Sequence, residues 1–182
     1  RKQTDIIFPN VLCQIGLGYT FLFLLWKQKP IVQMLATTAI LGGYWLAFGL
    51  YPSPSPDVDL TKYGLPVDWT MMTGLEAHWN KNTNVAAAFD RWFLNLFPRE
   101  KPFEFNDGGY ATLSFIPSLA TMILGMLAGE LMRSTRGAAM KLFTLLFAGG
   151  ALLAAGYGLH EFGFCPAVKR IWTPSWALYS GG

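Results

Sequence analysis

Charged residues along this chain are placed so that they isolate four long apolar stretches. Ile6–Trp26 carries no charge, and neither do Ile31–Tyr51 or Leu142–Leu159. From Gly108 no charge intervenes until Glu130, a run of twenty-two residues. Each run approaches the ~20 residues that an α-helix needs to cross ~30 Å of hydrocarbon. The pattern predicts an all-α, polytopic transmembrane helix bundle with spans at about 6–26, 31–51, 110–131 and 142–159. A fifth span is expected to begin near residue 171, where the apolar run Ile171–Gly182 closes the sequence.

Within the Gly108–Arg133 stretch, Thr121, Gly125, Ala128 and Gly129 put small side chains near one face, where another helix is expected to approach closely. On that expectation Gly125→Leu disrupts packing. Pro117 inside the run predicts a kink. Glu130 and Arg133, three apart, predict an ion pair at the far end. Pro9 suits a helix entrance, and Lys27 to Pro30 a tight reversal. Pro52-Ser53-Pro54-Ser55-Pro56 stops the second span abruptly.

Residues 52–109 form a polar excursion. Up to Asp107 it holds five basic and eight acidic residues. Val85, Phe89, Trp92, Phe93 and Leu96 recur at helical spacing, with Asp90 and Arg91 on the other side. That predicts an amphipathic helix on the membrane surface or capping the bundle, ended by Pro98. The connections around Lys27–Pro30 and Met132–Lys141 carry five positive charges, so positive-inside bias places them in the cytoplasm and the long loop outside. Lys169 and Arg170 count against that orientation.

Composition agrees with a lipid-embedded chain. Of the 182 residues 52% are hydrophobic and only 14% charged, below the usual quarter for soluble domains. A net charge of +3 is too small and scattered for nucleic acid. Cys13 and Cys165 lack metal-ligand spacing and read as free thiols. Only two histidines are present, so no metal site is expected. Arg1-Lys2 does not read as the start of a signal peptide. Both ends look cut, as in an interior piece of a longer membrane protein whose remaining spans would be partners.

Candidate chemistry concentrates in Glu76, His78, Asn80, Lys81, Asn82, Thr83 and Asn84, seven hydrogen-bonding groups within nine residues and next to Trp79. Such a cluster can hold a sugar by its hydroxyls with an indole against its ring. The more ordinary role is capping, with Asn84 or Thr83 at the start of the helix near Val85. His78 could serve as a general base, as histidines do near neutral pH, but a lone loop histidine is usually no more than that. On the sugar reading, replacing His78 and Asn80 by Ala weakens sugar use and leaves folding intact. Asp90-Arg91 either docks the loop helix or faces a cavity, and docking is favoured. Asn106-Asp107-Gly108-Gly109 is a turn whose amides could also meet an anion. His160-Glu161 reads as a helix-terminal pair.

Several of these residues carry a resemblance. Val11-Leu12-Cys13-Gln14-Ile15-Gly16-Leu17-Gly18-Tyr19 resembles the opening of a middle span in the heparan-α-glucosaminide N-acetyltransferase family of membrane acyltransferases, with Gln14 where a basic residue is common. Asn82 to Arg91 resembles that family's external loop. Asp107-Gly108-Gly109-Tyr110 through Leu124–Glu130 resembles its next span, and Val168–Trp176 the approach to another. The likeness is greatest to uncharacterised bacterial members, some labelled N-acetylglucosamine-related transporters. It implies a multi-pass protein of the bacterial inner membrane that transfers acetyl from acetyl-CoA to an amino sugar or glycan. Transport of such sugars, or a purely structural role, is the alternative. The family's catalytic histidine has no counterpart in this chain, so no catalytic residue is assigned. Glu76, His78, Trp79, Asn80, Asn82, Asp90, Arg91 and Asp107 are the expected substrate-facing residues. A second copy of the chain is left open as a partner.

Overall fold

A computed structural model describes residues 6–182; Arg1-Lys2 lies outside them. The described residues form helices, short 3-10 turns and loops, with no strand. The α-helices are α1 (Val11–Leu25), α2 (Pro30–Leu50), α3 (Val85–Phe93), α4 (Phe115–Arg133), α5 (Ala138–Glu161) and α6 (Pro174–Gly181). Among them α2, α5 and Thr112–Arg133, which is α4 with its preceding 3-10 turn, are long and apolar enough to cross a membrane. Their outward Leu, Phe and Met side chains are exposed, as lipid-facing surface requires.

The first expected span is shorter than its uncharged run. Asn10 caps the helix, its Oδ1 accepting from Cys13 N at 2.9 Å, and α1 keeps only fifteen residues. At 1.5 Å per residue that is about 22 Å, short of a full crossing. The preceding residues dock on α3 instead: the Phe8 ring lies 5.7 Å from Phe93 and 5.9 Å from Phe97, and Arg99 donates to the Ile6 carbonyl at 2.9 Å.

α4 is the hub and packs on α1, α2 and α6. Its start differs from expectation. The turn at Asn106–Gly109 precedes extended residues and a 3-10 turn at Thr112–Ser114, so the α-helix begins only at Phe115. Pro117 is then the third residue of the helix. Its missing N–H belongs to the first turn, whose donors have no intrahelical acceptor in any case, and the cause of a kink disappears. The small-residue face packs only at Thr121, which accepts from Trp172 Nε1 at 3.1 Å, and is open at its glycines. A side chain at Gly125 or Gly129 would meet nothing within 4 Å, whereas Ser118, Leu119, Ala120 and Ile123 are buried. Close approach occurs elsewhere. Gly18 faces α4, with Leu119 and Met122 at ordinary contact distance from where a Cβ would stand, and Gly156 lets α6 lie on α5, where an added Cβ would stand 2.5 Å from Tyr179 N and 2.6 Å from Ser175 O.

Polar groups in the helices find one another, as a low-dielectric surrounding demands. Gln33 donates to Glu130 Oε1 at 2.9 Å and also reaches the Leu25 and Gln28 carbonyls, closing the end of α1. Glu130 is therefore held by Gln33 and not by Arg133. Ser118 bridges the Ser114 carbonyl (2.7 Å) and Gln14 Oε1 (3.3 Å). Both cysteines are free thiols, Cys165 buried and Cys13 half-buried.

Residues 52–110 fold into a cap over one end of the helices. The cap shares a core with α2 and with the 162–173 loop: Tyr44, Phe48, Trp79, Ala86, Ala111, Cys165 and Ile171 are buried together. α3 forms as predicted by its pattern, capped by Asn84 Oδ1 accepting from Ala87 N at 3.0 Å and running into a 3-10 turn at Leu94–Leu96. Its inward face is not the aromatic one. Ala86, Asp90 and Leu94, four apart, are buried, while Trp92 and Leu96 are each 61% exposed.

Candidate functional site

The sequence cluster 76–84 proves to be largely a set of braces. The 3-10 turn Gly74–Trp79 drives the Trp79 indole down onto α2, where it stacks on Phe48 with ring centroids 6.0 Å apart and planes within 8°. Asn80 then behaves like a piece of backbone. Its Oδ1 accepts from Met72 N at 2.8 Å, and its Nδ2 donates to Met72 O at 2.9 Å and Ala77 O at 3.1 Å. Asn82 sits at φ +60°, a region asparagine tolerates better than most residues. From there its Nδ2 ties the Tyr63 and Asn106 carbonyls at 2.9 and 3.1 Å. Asn84 Nδ2 closes back on the Asn80 carbonyl at 2.9 Å. The amide side chains that looked able to grip hydroxyls are thus occupied.

The charged pair docks α3. Asp90 is 1% exposed and accepts from Thr112 N at 2.9 Å, fastening α3 to the approach of α4. Burial raises its pKa, against the opposing effects of the Thr112 N–H hydrogen bond and the Arg91 charge. Arg91 donates to the Asn82 carbonyl at 2.9 Å, with its guanidinium 5.4 Å from the Tyr63 ring centroid. His78 is half-buried, with Nδ1 2.7 Å from the Tyr51 carbonyl. Since a carbonyl oxygen only accepts, that contact requires the proton on Nδ1. Glu76 is half-buried, and Asp107 is exposed on the turn in which Gly109 N donates to Asn106 O at 2.8 Å. His160 Nδ1 accepts from Ala167 N at 3.4 Å and steadies the following loop.

A concavity lies beside this lattice. It is a cleft of about 420 Å³ between the cap and the 167–171 turn. Of the expected substrate-facing residues only Trp79 and Asn80 line it. Its apolar wall comes from Trp69, Met72, Trp79 and Ile171, and its charge from Lys81, Lys169 and Arg170, with no acidic residue in the lining. Lys81 lies along the Trp69 ring, Nζ 5.3 Å from the centroid, and against Gly109, whose φ of +72° and missing Cβ make the room. Trp79 Nε1 is buried without an acceptor.

The facing wall is tied in place by side-chain hydrogen bonds to its carbonyls. Trp172 adopts φ +50° at the end of the Lys169–Ile171 turn. Tyr44 Oη donates to the Ile171 carbonyl at 2.9 Å, Trp45 Nε1 to the Phe164 carbonyl at 2.8 Å, and Ser175 Oγ to the Pro166 carbonyl at 2.8 Å. Burial pushes the Cys165 thiol pKa up, so its thiolate is scarce at neutral pH.

Sequence reasoning missed Trp69, Lys169 and Arg170. One signal was available: Lys169 and Arg170 violate the charge bias that orients the other loops. No family model, curated protein or solved structure matches the chain.

Proposed function

We propose that this chain is part of a membrane-embedded acetyltransferase that moves an acetyl group from acetyl-CoA to an amino sugar or glycan. In this reading the cleft beneath the cap receives the acceptor. The observation that carries it is the cleft itself, whose wall includes the exposed Trp69 indole, an apolar face against which a sugar ring can lie. The resemblance of the segments around Val11, Asn82, Asp107 and Val168 adds to it, since the last three border the cleft or its scaffold.

The proposal extends to topology. α1 lies along α4 without a full crossing of its own, and Lys27, Lys29, Arg133, Arg136 and Lys141 lie on the cytoplasmic side of a bacterial inner membrane. The cap then faces outward. Acetyl-CoA is cytoplasmic and so belongs to the opposite end, which is why the cleft is read as the acceptor's. No residue of 6–182 is assigned to the transfer itself, in which the thioester C–S bond breaks and an amide N–C bond forms. Holding the acceptor in position is the role proposed for this chain's residues.

The alternative of a sugar transporter is weaker for a specific reason. Polar side chains in the helices mostly bond to each other or to their own backbone: Gln33 with Glu130, Gln14 with Ser118, and Thr37 and Thr38 with carbonyls one turn back. Little is left to line a hydrophilic path. The test is acetyl transfer to glucosamine by the intact protein in membranes. Transfer that requires acetyl-CoA supports the enzyme; absence of transfer together with uptake of N-acetylglucosamine overturns it.

A further inference from the structure

We infer that the cleft recognises a phosphate on an amino sugar, held between Lys81 of the cap and Lys169 and Arg170 of the facing turn. This inference rests on the acceptor reading and narrows its substrate class. Amino sugars are themselves cationic, so three unopposed positive side chains would repel a simple glucosamine. A phosphorylated sugar reverses the sign and suits guanidinium and ammonium donors.

Three features make this a formed site and not merely a basic surface. Its cations come from segments about ninety residues apart in sequence and meet only through the fold. None of the three is joined to a carboxylate of the described residues, although the cap is net acidic in sequence. Beside them, Trp79 is 1% exposed and its Nε1–H has no acceptor, an orphan donor in a cleft wall. The Trp69 ring, 37% exposed, holds Lys81 Nζ over it at 5.3 Å and so fixes that cation in the cleft wall. Phosphate esters occur both on soluble sugars and on lipid headgroups, and the chemistry of the three cations suits either.

The experiment titrates the intact protein, in nanodiscs of neutral phosphatidylcholine, with glucosamine 6-phosphate, glucosamine and inorganic phosphate, reading intrinsic tryptophan fluorescence and calorimetry. The sugar phosphate is expected to bind about tenfold or more tightly than glucosamine, and to weaken as salt rises. Lys169→Gln with Arg170→Gln is expected to abolish that preference while the melting temperature stays unchanged, because both side chains are exposed. Lys81→Gln gives an independent check through the cap. Adding phosphatidylglycerol to the nanodiscs separates the sources: competition assigns the site to a headgroup phosphate and overturns the sugar assignment, and its absence supports a soluble sugar phosphate. Equal affinity for glucosamine and its phosphate, or an unchanged preference in the double variant, overturns the inference. Acetylation of plain glucosamine without phosphate preference would sink this inference and keep the transferase. Phosphate-dependent binding without any transfer would do the reverse.

Discussion

Gly156→Ala adds a single methyl group, yet the geometry makes it a severe test of how the last helix is held. The new Cβ would stand 2.5 Å from Tyr179 N and 2.6 Å from Ser175 O. Both are backbone atoms of α6, so no rotamer change can relieve the contact, and α5 and α6 must part by about 1 Å to restore ordinary van der Waals separation. Such overpacking costs about 1–3 kcal/mol. The strain falls directly on Ser175, whose hydroxyl holds the Pro166 carbonyl, and through that loop on the Lys169–Ile171 wall of the cleft. Gly150→Ala on the same helix is the control, since a Cβ there meets nothing within 4 Å. Thermal unfolding in detergent, followed by loss of monodispersity, should place Gly156→Ala clearly below wild type and Gly150→Ala beside it. Equal stability of the two variants would refute the proposed α5–α6 seam.

The same reasoning reverses one sequence expectation: Gly18→Leu should destabilise the α1–α4 contact, while Gly125→Leu should leave thermal stability unchanged. Asn80→Ala should cost about 2–3 kcal/mol by unpairing Met72 N and O and Ala77 O, so it should unfold the cap and not merely weaken ligand use; limited proteolysis of the cap reads this. Asp90 has a raised pKa, so the native state holds its proton more tightly than the unfolded chain. Its carboxyl therefore contributes more stability in acid, and that contribution is lost as pH rises from the ordinary carboxylate range through the raised value. Asp90→Asn, which keeps an acceptor for Thr112 N, should flatten the pH dependence of melting, and Asp90→Ala should lower stability throughout. Cys165 should resist maleimide at neutral pH until the protein is unfolded.

Much of this protein was legible along the chain. Uncharged runs of the right length marked α2, α4 and α5, because hydrocarbon tolerates few charges and a helix needs a fixed number of residues to cross it. Asn84 and the spacing from Val85 marked α3, because capping and helical periodicity are local. Other features depended on contacts that no local pattern contains. Charge absence could not tell that Ile6–Asn10 docks on α3 and leaves α1 short. Small residues at Gly125 and Gly156 look alike in sequence, and only the placement of α6 decides which one is a contact. The Asn80–Asn84 cluster looked like a ligand grip because sequence shows donors and acceptors but not the carbonyls that already occupy them. The cleft is the clearest case. Lys81 lies about ninety residues before Lys169 and Arg170, and it is the folding of the cap onto the 167–171 turn that brings their charges to one cavity.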